Sequence, residues 1–180
     1  MKSLKSIKVK RFVISVAGVL IAYLLQCTLF DKLSLASVKP NLLLIITAAA
    51  GFMHGPRKGM LTGFFSGLIV DIMFGNVLGF YALIYLLIGY VNGRFQQLYY
   101  NEDFRLPACL IAGSEAAYGI VIYIFMFMLR SEFDFLYYLS HIILPELIYT
   151  IVAAMVLYPL ILFINNKLDA EEKRSAGKIG

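Results

Sequence analysis

Apolar residues run along this chain in long uncharged blocks, and the charged residues gather between them. The first block, Phe12 to Phe30, follows a basic leader over residues 1–11. It is too long for a usual signal-peptide core and carries no small-residue cleavage motif, so it predicts a retained first helix. A short polar connection follows from Asp31 to Lys39. Pro40 suits the first turn of a second helix, where its missing N–H costs nothing. That helix is expected from Asn41 to His54, with Gly55-Pro56-Arg57-Lys58 as the break. The pattern predicts a third helix from Gly59 to Phe74, a turn at Gly75-Asn76, a fourth from Val77 to Phe95 and a fifth from Phe104 to Leu129. Arg130 to Asp134 forms a charged connection. The sixth helix is expected from Tyr138 to Ile164, with Pro145 and Pro159 inside it, each bending it or freeing a backbone carbonyl. Residues 165–180 read as a polar, frayed tail. Helices two and three are short for a span, roughly 21–24 Å from the helical rise, but they can cross a locally thin bilayer. The competing re-entrant hairpin would place Arg57 and Lys58 in hydrocarbon and is disfavoured.

Composition turns this pattern into a class. Of 180 residues, 61% are hydrophobic, far above the roughly 45–50% of a soluble domain. The expected fold is all-α, a polytopic membrane protein with a six-helix transmembrane bundle in one domain, residues 1–180, with the spans over 12–164. The net charge of +5 does not point to nucleic acid, because the basic residues flank apolar blocks and no nucleic-acid motif is present. With six spans, thirteen of the sixteen Lys and Arg residues fall on the side of the N-terminus. The positive-inside rule then places both termini in the cytoplasm of a bacterial cell (inner) membrane protein. Cys27 and Cys109 lie in apolar runs without metal or redox spacing and read as buried free thiols. Leu24-Leu25-Gln26-Cys27 is a poor lipoprotein site, because Gln26 is too large for the position before the cysteine.

Glycine recurs every fourth residue through Gly51, Gly55, Gly59, Gly63 and Gly67, and the next two steps fall on Asp71 and Gly75. Residues four apart stay near one helix face, drifting about 40° per step. Gly59, Gly63 and Gly67 therefore make a groove along helix three. In lipid such small-residue faces let backbones approach closely, so the groove serves helix packing or a partner's docking. Gly113 and Ala117 suggest a shorter face of the same kind on helix five.

Asp71, Glu115 and Glu146 are acids inside apolar runs with no Lys or Arg beside them. An intramembrane carboxylate is a functional-site candidate by default. At about 1.5 Å per residue, Asp71 lies about 18 Å from the cytoplasmic start of helix three. Glu146 lies about 12 Å from the outer surface, and Glu115 near the middle. The three form a candidate polar site with a cavity open to the outer side. The structural alternative is that each acid is protonated or bonded to hydroxyls such as Ser66 and Tyr149. His54 and His141 fall on opposite faces and cannot share a metal. No metal, cofactor or catalytic arrangement is expected.

Pro40-Asn41-Leu42-Leu43-Leu44, Gly67-Leu68-Ile69-Val70-Asp71-Ile72, Gly75, Leu78-Gly79, Ala82-Leu83 and Gly89-Tyr90-Val91-Asn92-Gly93, followed late by Tyr158-Pro159-Leu160 and a charged tail, resemble the rod shape-determining protein MreD family. Asp71 and the glycines at 63, 67, 75 and 79 match the family pattern. The resemblance implies a non-enzymatic scaffold of the bacterial elongation complex for lateral peptidoglycan synthesis. It implies MreC as the direct partner. MreB, RodA and a class B penicillin-binding transpeptidase belong to the wider assembly, with membrane lipid around the bundle. It also implies a fold similar to the substrate-binding component of energy-coupling-factor transporters. A transporter subunit is accordingly the alternative function, lowered by the absence of an A-x-x-x-A face around Ala17, Gly18 and Ala22.

Overall fold

The structure, a computed structural model, describes residues 2–32, 38–75, 77–98, 105–127 and 134–176. Asn76, most of the connections expected around residues 35 and 130, and the last residues of the tail lie outside these. The elements formed by the described residues are helices: α1 (Lys2–Lys32), α2 (Leu42–His54), α3 (Pro56–Phe74), α4 (Phe80–Arg94), α5 (Arg105–Ile122), α6 (Phe135–Tyr138) and α7 (Leu144–Ala176). A 3₁₀ turn over Phe95–Leu98 ends α4, and a π-helical turn over Tyr123–Phe127 ends α5. A second π turn, Leu139–Ile143, joins α6 to α7, so these form one continuous sixth rod. Three helical stretches are long and apolar enough to cross a membrane by length and composition: Val9–Thr28, Arg105–Phe125 and Phe135–Arg174. Leu42–His54 is a shorter apolar helix.

Several boundaries differ from the expected ones, each for a local reason. Pro40 precedes α2 instead of opening it, because Asn41 is the N-cap and its side chain accepts from Leu44 N at 3.1 Å. The break between α2 and α3 is one residue. Gly55 takes φ +89 there, a left-handed conformation open mainly to glycine, and Pro56 begins α3 at once. Helix α4 starts at Phe80, later than expected, because Gly79 turns the chain at φ +99. Pro145 is the second residue of α7, just past the Leu139–Ile143 π turn, which widens the helix where proline would otherwise clash with the preceding turn. Pro159 lies inside α7 without ending it.

The tail is a further correction. Helix α7 continues to Ala176 instead of fraying at residue 165, and α1 extends back through the basic leader. The two ends clasp each other: Lys10 Nζ donates to Glu171 at 2.6 Å, and Arg11 pairs with both Asp169 and Glu172. Lys10 holds the Glu171 carboxyl below its ordinary range. On the same end His54 Nε2 meets Asn165 Oδ1 at 2.8 Å. This end of the bundle therefore gathers Lys10 and Arg11 of α1, the 165–172 stretch of α7 and the α2–α3 break.

The core is centred on α2, whose Leu42, Leu43, Leu44 and Ile45 are fully buried among residues of α4, α5 and α7. Outward faces keep large apolar side chains exposed, including Phe12, Leu24, Ile72, Leu83 and Val156. A soluble protein would bury such a continuous surface. Cys109, expected to be buried, is exposed on α5, while Cys27 is half-buried, and both are free thiols.

Candidate functional site

The glycine row lies between α3 and α4. A methyl group at Gly67 would strike the backbone of Tyr81 and Ala82, one at Gly63 the Tyr85 carbonyl, and one at Gly59 the Gly89 carbonyl. From the α4 side, Gly89 meets Gly59 and Gly93 meets Pro56. These contacts repeat every four residues on both antiparallel helices, so the two backbones touch along their whole length. Gly51 of α2 joins the same seam against Gly89 and Gly93. The face of α3 that carries Gly59, Gly63 and Gly67 is thus covered by α4 within the chain. Gly75 packs back on the Asp71 backbone, and Gly79 has open space but a left-handed backbone. Gly113 and Ala117 are exposed instead of packed, and Gly113 faces open space; the close contact on α5 is Gly119 against Ile143.

Asp71 stands at the far end of this seam and is 3% exposed. Its carboxylate accepts three backbone N–H groups: Gly79 at 3.0 Å and Ala82 at 2.9 Å on Oδ2, and Tyr81 at 2.9 Å on Oδ1. A helix start leaves its first N–H groups without partners, and no side chain within α4's own cap supplies one. Asp71 does so from the neighbouring helix. Its negative charge also faces the positive end of the α4 dipole. The expected hydroxyl partner, Ser66, is fully buried but makes no hydrogen bond to it.

Glu115 and Glu146 lie beside each other, and Tyr81, whose N–H bonds Asp71, also lies near Glu146. Glu115 on α5 is 2% exposed, with Glu146 of α7 and Asn41 as its polar neighbours. Around them stand Tyr81, Tyr85 and Tyr118, with Tyr85 and Tyr118 edge to face at 5.7 Å. Asn41 ties this region together. Its Oδ1 accepts from Leu44 N and from Tyr85 Oη at 2.7 Å, and its own N–H donates to Thr150 Oγ1 at 3.0 Å. Asp71 is thus bonded to backbone N–H groups, whereas neither carboxyl oxygen of Glu115 is hydrogen-bonded. Two recesses lie away from them: one lined by residues such as Ala48, Phe52, Asn92 and Tyr158, the other of about 300 Å³ at Pro56, Arg94 and Gln96.

The histidines stay apart, His54 on Asn165 and His141 beside Ser140 and Tyr137. Among the described residues no group of three His, Cys, Asp or Glu side chains could hold a metal.

A family model described as rod shape-determining protein MreD matches residues 6–168. The chain belongs to this family. No curated protein and no solved structure matches it. Membership in the MreD family and the three long apolar helices agree on a membrane protein of the rod shape-determining class. Within this MreD-family chain, two structural residues escaped the sequence reading. Gln26, weighed only as part of a lipoprotein motif, accepts from Leu42 N at 3.1 Å and Leu43 N at 3.5 Å, so α1 helps cap α2. Asn41 was visible as a capping residue type before an apolar run, but its bonds to Tyr85 and Thr150 join segments far apart in sequence.

Proposed function

We propose that this chain is a non-enzymatic membrane scaffold of the bacterial elongation complex. In this reading six rods cross the membrane, α1 to α5 and the joined α6–α7, with both termini in the cytoplasm. Helix α3 has 19 residues, about 28 Å at the helical rise, which nearly matches a hydrocarbon core of about 30 Å. The scaffold holds MreC and links the cytoplasmic filament of MreB to outer-face synthesis by RodA and a class B penicillin-binding transpeptidase. Lipid covers the exposed apolar faces. The observation that carries this proposal is the family match across residues 6–168. The interior supports it: its close contacts join helices to one another, as a rigid scaffold needs. The test is copurification with MreC after mild detergent extraction of the full chain. Retention of MreC is expected; clean separation of the two proteins overturns the direct contact.

The second reading is a substrate-binding subunit of an energy-coupling-factor-type transporter. Glu115, a buried acid without a hydrogen-bond partner, is the feature that favours it. Helix α1 lacks the small-residue spacing with which such subunits dock. The discriminating observation is the gene neighbourhood, with MreB and MreC genes expected for the scaffold and transporter ATPase genes for the alternative.

A further inference from the structure

Glu115 is a buried acid whose carboxyl makes no hydrogen bond. Both of its carboxyl oxygens are buried and lack a hydrogen-bond partner. Four residues lie near it. Glu146 approaches from α7, Asn41 from the residue before α2, and Tyr85 from α4, while Tyr118 lies on α5 itself. No lysine, arginine or histidine is among the described groups that act on it. Asn41, the neutral amide beside it, reaches hydrogen-bond geometry on neither oxygen, and its Oδ1 already accepts from Leu44 N and Tyr85 Oη.

The second acid beside Glu115 is Glu146. Two ionised carboxylates can only accept hydrogen bonds. Side by side in a low-dielectric interior they repel, and neither gains a bond. One proton reverses both effects. It removes one charge and supplies an O–H that the other oxygen accepts, a short charge-assisted bond. The seam between α5 and α7 is built to hold the two acids together: Gly119 packs on Ile143 one turn away, in the same antiparallel register.

We propose that Glu115 and Glu146 form a proton-binding site, with a single proton shared between the two carboxyls. Glu115, the more buried of the two, holds it. Glu146, half-buried near the start of α7, is the more accessible partner. The bound proton joins α5 to α7 as the three backbone bonds of Asp71 join α3 to α4. This goes beyond the scaffold reading and does not depend on MreC.

The test is infrared difference spectroscopy of the full chain in lipid nanodiscs, with glutamate carbon-13 labelling to separate Glu from Asp carboxyls. A label-sensitive protonated-carboxyl C=O band is expected at neutral pH in the wild type, and its loss is expected in Glu115→Gln. Absence of the band in the wild type, or its persistence unchanged in Glu115→Gln, overturns the proposal. Should Glu115→Gln fail to fold, Glu146→Gln provides the reading: a shifted or lost band supports the shared proton, and an unchanged band overturns it.

Discussion

Two seams of this molecule each bury carboxyl groups, and they treat them oppositely. Between α3 and α4 the helices touch backbone to backbone through Gly59, Gly63, Gly67 and Gly89, and Asp71 closes the end by accepting three N–H groups. Between α5 and α7 contact runs through side chains, and Glu115 lies beside another acid with neither of its own oxygens hydrogen-bonded. The difference teaches what a buried charge is for. A carboxylate that satisfies a helix start has a structural explanation and needs no ligand. One left unsatisfied in a tightly packed interior asks for a proton or a partner.

The largest expected effect breaks the first seam outright. Gly63→Val would place a branched side chain on the Tyr85 backbone. Neither helix backbone can yield without losing its ladder, so the loss should reach about 3 kcal/mol or more, the upper end for overpacking. Loss of monodisperse protein in detergent size-exclusion chromatography checks it; recovery at wild-type yield would mean the helices can separate. Asp71→Ala comes next. It leaves three N–H groups without acceptors, at about 1–3 kcal/mol for each one that stays buried, and thermal unfolding in detergent should show a clear drop.

Smaller effects sharpen the contrast. Glu115→Gln supplies an amide donor to Glu146 at nearly the same volume, so stability should stay within about 1 kcal/mol of wild type. Arg11→Ala removes a partly exposed clasp on Asp169 and Glu172 and should cost no more than about 1 kcal/mol, shrinking with added salt. The neighbouring Lys10–Glu171 pair should contribute above the usual carboxylate range and fade as pH falls through the lowered Glu171 value. Gly113→Ala, whose added methyl meets nothing, should be neutral or stabilising by up to about 1 kcal/mol from helix propensity. A strong loss there would show that the exposed α5 face is covered in the working protein.

Much of the first seam was legible in the sequence. A four-residue glycine rhythm points to one close helix face, and Gly55-Pro56 marks the turn that lets α2 and α3 sit side by side. The role of Asp71 was not legible, because its donors lie 8 to 11 residues further on, beyond a turn whose geometry depends on Gly79. Depth along helices suggested that Asp71 and Glu146 share a site. The structure brings Glu115 beside Glu146 and leaves Tyr81 near both Glu146 and Asp71, because rotation about each helix axis, and not depth alone, decides which side chains meet. The helical tail was equally hidden, because the partners of Arg11 and Lys10 lie about 160 residues away. Cys109, Gly113 and Ala117 were misplaced for a related reason: an apolar or small residue in a membrane helix suits the lipid face as well as the packed one.

The contrast between the two seams comes down to two isosteric variants measured side by side, Asp71→Asn and Glu115→Gln, by thermal unfolding of the full chain in one detergent. Asparagine keeps one acceptor oxygen where Asp71 uses two, so a loss of about 1–2 kcal/mol is expected from the abandoned N–H groups. Glutamine at 115 should leave the midpoint close to wild type. An Asp71→Asn protein as stable as wild type, or a Glu115→Gln protein that loses more, would contradict the assignment of Asp71 to structure and of Glu115 to a bound proton.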